Sequence, residues 1–215
     1  MGTTTTLLAL AIATAGVSVL HAAHQPASPA RRSAVTAPDT AVFADGCFWG
    51  IEGVFRHLKG ATSAVSGFAG GTMASPSYED VSSGTTGHAE SVQVVYNPGT
   101  ISYAQLLQVF FTVAHDPTQL NRQGPDVGTQ YRSAIFYRSA GQQRAAESYV
   151  AQLAHARTYL NPIVTQIVPL TAFYQAEAYH QNYMALHPNQ PYIVYNGAPK
   201  VVRLKQAFPA LYREP

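Results

Sequence analysis

Hydrophobic positions along this chain switch between two spacings. Ile51, Val54, Phe55 and Leu58 recur at i, i+3, i+4 and i+7, which lays one apolar stripe along a helix within WGIEGVFRHL. Just before it, AVFADGCF opens on a short strand-like run. Residues 61–70 and 88–96 read as strands, the second rich in β-branched side chains, with a Gly/Ser/Thr-rich loop between them. Ser102 followed by Gln105 has the spacing of a capping box and predicts a helix carrying Leu106, Leu107, Phe110 and Phe111. SAIFYR predicts a strand, and Ser139 with Gln142 repeats the capping signal ahead of a helix running towards Leu160. VTQIV is a further strand, AEAYHQNYMALH a helix and APKVVRLKQAF a last short one. Strands and helices thus alternate in a mixed α/β pattern. Two stretches, 70–87 and 115–130, show neither period and are full of polar and aromatic residues. Loops of that length in a compact domain usually serve a site.

The N-terminus breaks the pattern. MGTTTTLLALAIATAGVSVLHAA is apolar and carries no Asp, Glu, Lys or Arg. Its apolar centre, Leu7 to Leu20, suits the core of an export signal better than a membrane span, which needs about 20 apolar residues. The n-region lacks Lys and Arg, and His21-Ala22-Ala23 is an imperfect cleavage site. The expected organisation is a signal peptide over 1–23, a Pro/Ala/Ser/Thr-rich linker over 24–40 and a catalytic domain over 41–215. The expected location is periplasmic or secreted, with no membrane attachment unless the leader stays uncleaved.

Composition excludes several functions. Lys and Arg number 13 against 11 Asp and Glu, and no basic run exists beyond Arg31-Arg32, so the electrostatic footprint of a nucleic-acid binder is missing. A single cysteine rules out a disulfide framework and a Cys-rich zinc site. His88, His115 and His180 lack the spacing of metal-binding pairs and read as structural histidines. No glycine cluster matches a phosphate-cradling loop, so no bound cofactor and no metal are expected.

The lone cysteine, Cys47, lies in GCFWG, where a strand ends and a helix begins. Helix N-terminal N–H groups there are expected to favour thiolate over thiol. Gly46 and Gly50 let the backbone turn sharply and leave the sulfur accessible. Phe48 and Trp49 cannot both face one core from a regular strand, so one of them is expected to flank the sulfur. An aromatic wall beside a thiol suits a substrate presenting a methyl group on sulfur.

GCFWG is followed in order by GFAGG at 67–71, PSYEDV at 76–81, GHAESV at 87–92, HDPTQLNRQGPDVGTQYRS at 115–133 and FYQAEAYHQNY at 173–183. Together these motifs resemble the A-type peptide methionine sulfoxide reductases over roughly residues 41–190. The resemblance implies an α+β fold, a two-layer sandwich whose ferredoxin-like core has a mixed sheet covered by helices. It also implies reduction of the S epimer of methionine sulfoxide, free or in oxidised proteins, as a repair reaction. It makes Cys47 the nucleophile, Phe48 and Trp49 the methyl pocket, Glu90 the acid, and Tyr78, Asp126 and Tyr131 the polar partners of the sulfoxide. The chemistry asks for such groups: a sulfoxide sulfur accepts a nucleophile only if its oxygen receives a proton or strong hydrogen bonds.

The tail departs from relatives that carry further cysteines there: HPNQPYIVYNGAPKVVRLKQAFPALYREP contains none. The oxidised Cys47 must then be reduced from outside, by a thioredoxin-like protein or a low-molecular-weight thiol acting on a monomer. Two rivals remain at this level. A cysteine hydrolase or acyl-transferase would need a base at Cys47, with His88 the candidate; a non-catalytic module would merely grip methionine between Phe48 and Trp49.

Overall fold

Strand β1 (Asp39–Ala44) sits inside a six-stranded sheet because both of its faces are apolar. Ala41 and Phe43 point to the larger core under the helices, whereas Val42 and Ala44 join a smaller cluster with Ala69, Ala89, Ala134 and Phe136 on the opposite face. β1 pairs antiparallel with β3 (Ala89–Tyr96) on one side and β6 (Ala134–Tyr137) on the other. β2 (Ala61–Ala69) runs antiparallel to β3, and two short edge strands complete the order β7-β6-β1-β3-β2-β8. Of these edges, β7 (Gln166–Pro169) is parallel to β6, and β8 (Phe173–Gln175) is antiparallel to β2. The four inner strands, with helix α1 (Phe48–Arg56) between β1 and β2 and helix α3 (Tyr103–Val109) between β3 and β6, have the βαββαβ order of a ferredoxin-like core. The expected α+β class holds. The computed structural model describes residues 1–2 and 37–215. The expected signal peptide and nearly all of the expected linker fall outside them, though Asp39 and Thr40, assigned to that linker, already pair in β1.

The periodic segments form as their patterns predict. Ile51, Val54, Phe55 and Leu58 are all fully buried, and Phe43 stacks on Phe55 and Phe110 with ring centroids 5.2 and 4.8 Å apart. Ser102 caps α3 through a reciprocal capping box with Gln105. Ser139 caps α4 (Ala140–His155), but Gln142 reaches back to the Arg138 N–H and across to the Thr40 carbonyl rather than to its own cap. α4 also stops five residues short of Leu160, where Arg157 enters the left-handed region at φ 51°.

The helix expected over 176–187 is not there. Its place is taken by a 3-10 turn, Ala178–His180, and one turn of helix, α5 (Tyr183–Leu186), separated by Asn182 at φ 55°. Two non-local contacts explain the break. The Gln181 side chain exchanges hydrogen bonds with both backbone groups of Ser66, and the Asn182 N–H donates to the buried Glu52 carboxylate at 2.8 Å. The segment therefore serves β2 and α1 as a side-chain strut instead of closing its own helical ladder. In the two long loops lie a short capped helix, α2 (Tyr78–Ser82), a two-residue ladder, β4 (Arg122–Gln123) with β5 (Asp126–Val127), and a 3-10 turn at Thr129–Tyr131. Beyond a π-turn at Ile193–Gly197, helix α6 (Ala198–Ala207) carries the tail back against α1.

Candidate active site

Cys47 is the N-cap of α1 and half-buried, and its side chain makes no capping bond, so the sulfur faces the site. The turn that aims it requires glycine. Gly46 has φ 55°, and a Cβ there would lie 2.6 Å from Cβ of Gln123. Gln123 in turn donates to Asp45 at 2.7 Å, and the Gly46 N–H donates to the Tyr131 carbonyl at 3.2 Å. The second irregular loop is thus bound to both residues that precede the thiol.

Glu90 arrives from β3, opposite Phe68 of β2, and only 2% of it is exposed to solvent. The N–H of Phe48, the first residue of α1, donates to its Oε2 at 3.0 Å, which places the carboxyl one residue from Cys47. Burial drives the Glu90 pKa up to about 8, against the Phe48 N–H that favours the charged form, and the charge of Asp126 adds to the rise. Glu90 is a protonated acid at neutral pH.

The same surroundings overturn the expectation of a resting thiolate. Burial, followed by the charge of Glu90 and then that of Asp126, pushes the Cys47 thiol well above the usual range, and the Trp49 N–H and the Tyr192 hydroxyl only partly oppose this. At this helix N-terminus desolvation outweighs the favourable backbone dipoles. Tyr78 and Tyr131, both half-buried, have their hydroxyl pKa values raised first by desolvation and then by the charge of Glu90, and the charge of Cys47 acts on each. Asp126 is raised by desolvation as well, although the Tyr192 hydroxyl, Lys200 and the Cys47 N–H favour its ionised form. Cys47, Glu90, Tyr78, Asp126 and Tyr131 therefore form one electrostatic cluster.

The two aromatics of GCFWG divide their duties. Phe48 is completely buried against Phe68, Tyr78 and His180, so its backbone N–H, not its ring, meets the chemistry. Trp49 is half-buried and is locked in place by stacking on Tyr183 at 3.8 Å and by donating from its indole N–H to Nδ1 of His180 at 3.1 Å. His180 is held neutral by burial and also packs on Tyr78 at 4.3 Å. His88, the candidate base of a hydrolase, packs edge-on against Tyr174 and feels the charge of Arg132. The leading influences on Cys47 are burial, Glu90, the Trp49 N–H, Asp126 and Tyr192, and His88 is not among them.

Tyr192 is the residue the sequence reading missed. From the turn before α6 it donates to Oδ2 of Asp126 at 2.5 Å, holds the Cys47 thiol pKa down against burial and meets Trp49 edge-on at 5.9 Å. The tail suggested a short helix and a lack of cysteine; the aromatic pair in QPYIVY was the further signal.

A family model described as peptide methionine sulfoxide reductase matches residues 39–211. Peptide methionine sulfoxide reductase MsrA 2 of Mesorhizobium japonicum is 57% identical over 176 residues, covering 82% of this chain and 90% of that protein. An MsrA of Thermus thermophilus is 50% identical over 175 residues, covering 81% of this chain and 98% of its own. Among solved structures, reduced Mxr1 from Saccharomyces cerevisiae is similar with a TM-score of 0.65 at 36% identity, covering 71% of this chain and 87% of that one. Methionine sulfoxide reductase A of Corynebacterium diphtheriae gives 0.64 at 38% identity, covering 71% and 76%. With the sulfur, the protonated carboxyl and the matching fold in one place, the chain belongs to the A-type peptide methionine sulfoxide reductases.

Proposed function

We propose that Cys47 carries out the family's reaction, the reduction of methionine sulfoxide to methionine, on the S epimer and by way of a sulfenic acid. The substrate methyl rests against Trp49, with Phe48 behind it as support. The sulfoxide oxygen accepts hydrogen bonds from Tyr78 and Tyr131 and a proton from Glu90. As Cys47 attacks sulfur, its own proton passes to the Tyr192 oxygen while the Tyr192 hydroxyl proton moves on to Asp126. The Cys47–S bond to substrate sulfur then gives way, the OH moves to Cys47, and methionine leaves. Cys47 is left as S–OH, and the proton on Asp126 restores Glu90. An external thiol, small or thioredoxin-like, displaces water to form a mixed disulfide, and a second thiol releases Cys47.

One observation carries this reading: a carboxyl that keeps its proton to about pH 8 is anchored by the amide next to the nucleophile. The test is to supply separate S and R sulfoxide epimers of one peptide with dithiothreitol, and to measure intact mass after a turnover without reductant. Reduction of the S epimer and a mass gain of one oxygen are expected. Reduction of R alone, or a mass loss of two hydrogens within one chain, would refute it.

A further inference from the structure

Cys47 also opens, on the side of the tail, onto a cleft of about 360 Å³ that shares Asp126 and Tyr192 with the sulfoxide site and extends beyond them along the tail. Tyr195, Asn196, Lys200 and Arg203 line it along with Cys47, Asp126 and Tyr192, whereas Glu90, Tyr78, Tyr131 and Trp49 do not. Its size falls at the small-molecule end of ligand sites. We propose that this cleft receives the reductant, a small thiol bearing carboxylates, with Arg203 as the carboxylate anchor and Lys200 in support. The proposal rests on the Cys47 sulfenic acid of the proposed reaction.

Arg203 is exposed at the mouth and has no ion-pair partner among the described residues. Lys200 is nearly hidden, with its Nζ 3.8 Å from Oδ2 of Asp45, so its charge is shared with that buried carboxylate. The acidic group of the cleft, Asp126, is covered by the Tyr192 hydroxyl. The mouth therefore presents an unengaged guanidinium, whose planar fork suits a carboxylate. Direction matters as well. Oxygen delivered to Cys47 comes from the flank of Glu90 and the two tyrosines, and a thiol displaces hydroxide from sulfur along the line opposite the S–O bond. The cleft offers a path that avoids those groups. Two cations nearby also favour the thiolate of the incoming reductant. The step balances: R–S⁻ and H⁺ with Cys47–S–OH give Cys47–S–S–R and water, and a second R–SH returns Cys47–SH and R–S–S–R.

The test uses enzyme oxidised by one turnover with a methionine sulfoxide peptide, then mixed with glutathione or with its diethyl ester, which keeps the ammonium but lacks both carboxylates, and follows loss of the added oxygen by mass. Wild type is expected to react about tenfold faster with glutathione, the equivalent of one charge-assisted bond. Arg203→Gln is expected to erase that preference. Added salt is expected to slow the wild-type reaction with glutathione but not with the ester. Equal wild-type rates with the two thiols, or reduction only by a protein dithiol, would overturn the proposal. So would an Arg203→Gln variant that keeps the preference but has a raised KM for the sulfoxide peptide with dithiothreitol, since the cleft would then belong to the sulfoxide. If no oxygen is gained in the first turnover, the sulfenic acid reading itself fails and takes the cleft's role with it.

Discussion

Two carboxyls flank the same sulfur and are built in opposite ways. Glu90 stands in the middle of a sheet, with one backbone N–H on it and almost no solvent, and its proton is held to about pH 8. Asp126 stands on a two-residue ladder in a loop, half-exposed, and is served by a tyrosine hydroxyl, a lysine charge and a backbone N–H. Burial raises both, and Asp126 has three partners opposing that rise where Glu90 has one. In the proposed reaction two chemically similar groups serve as an acid and a proton acceptor, distinguished by environment.

The largest effect should come from removing the group between them. Cys47→Ser is expected to abolish turnover while leaving thermal stability nearly unchanged; residual reduction of the S epimer would move the nucleophile elsewhere. Glu90→Gln keeps the shape and one hydrogen bond but removes the transferable proton, so kcat/KM should fall by about 10²- to 10⁴-fold. A comparable loss from Asp126→Asn and none from Glu90→Gln would exchange the two roles. Tyr192→Phe cuts the link from the thiol to Asp126, with an expected drop in kcat of about 10- to 100-fold, the worth of one bond to a charged group.

The smallest effect concerns pH. Because Glu90 holds its proton more tightly when folded, the native state binds more protons than the unfolded chain between the ordinary glutamate range and about pH 8. Its contribution to stability is full below that window and is lost as pH rises through about 8. Melting temperature should therefore decline across the window, less steeply in Glu90→Gln, and kcat/KM should fall above about pH 8 in wild type. A variant slope as steep as that of wild type would assign the proton to another group.

What could be read from the residues divides along the same line as the carboxyls. The α1 stripe, the cap at Ser102 and the strand-like run of β1 are local, each pattern spanning only a few residues, and they formed as expected. The 176–187 segment had helical composition, but Glu52 and Ser66, more than a hundred residues away, claimed its polar groups. The site shows the same contrast. GCFWG and GHAE announce Cys47 and Glu90, whereas the aromatic pair in QPYIVY marks Tyr192 without showing that it crosses from the tail to Asp126 beside Cys47. The resting charge of the sulfur was misjudged for a related reason: a helix N-terminus is visible in sequence, whereas desolvation depends on everything packed around it.

Positions 46 and 123 constitute a steric lock. With hydrogen at 46, the glutamine at 123 fills the space beneath the nucleophile's turn. In a library varied at both sites, selection for activity should return larger residues at 46 only alongside glycine at 123. Those survivors should favour asparagine or aspartate and exclude valine, isoleucine and threonine, since only the former tolerate a left-handed backbone.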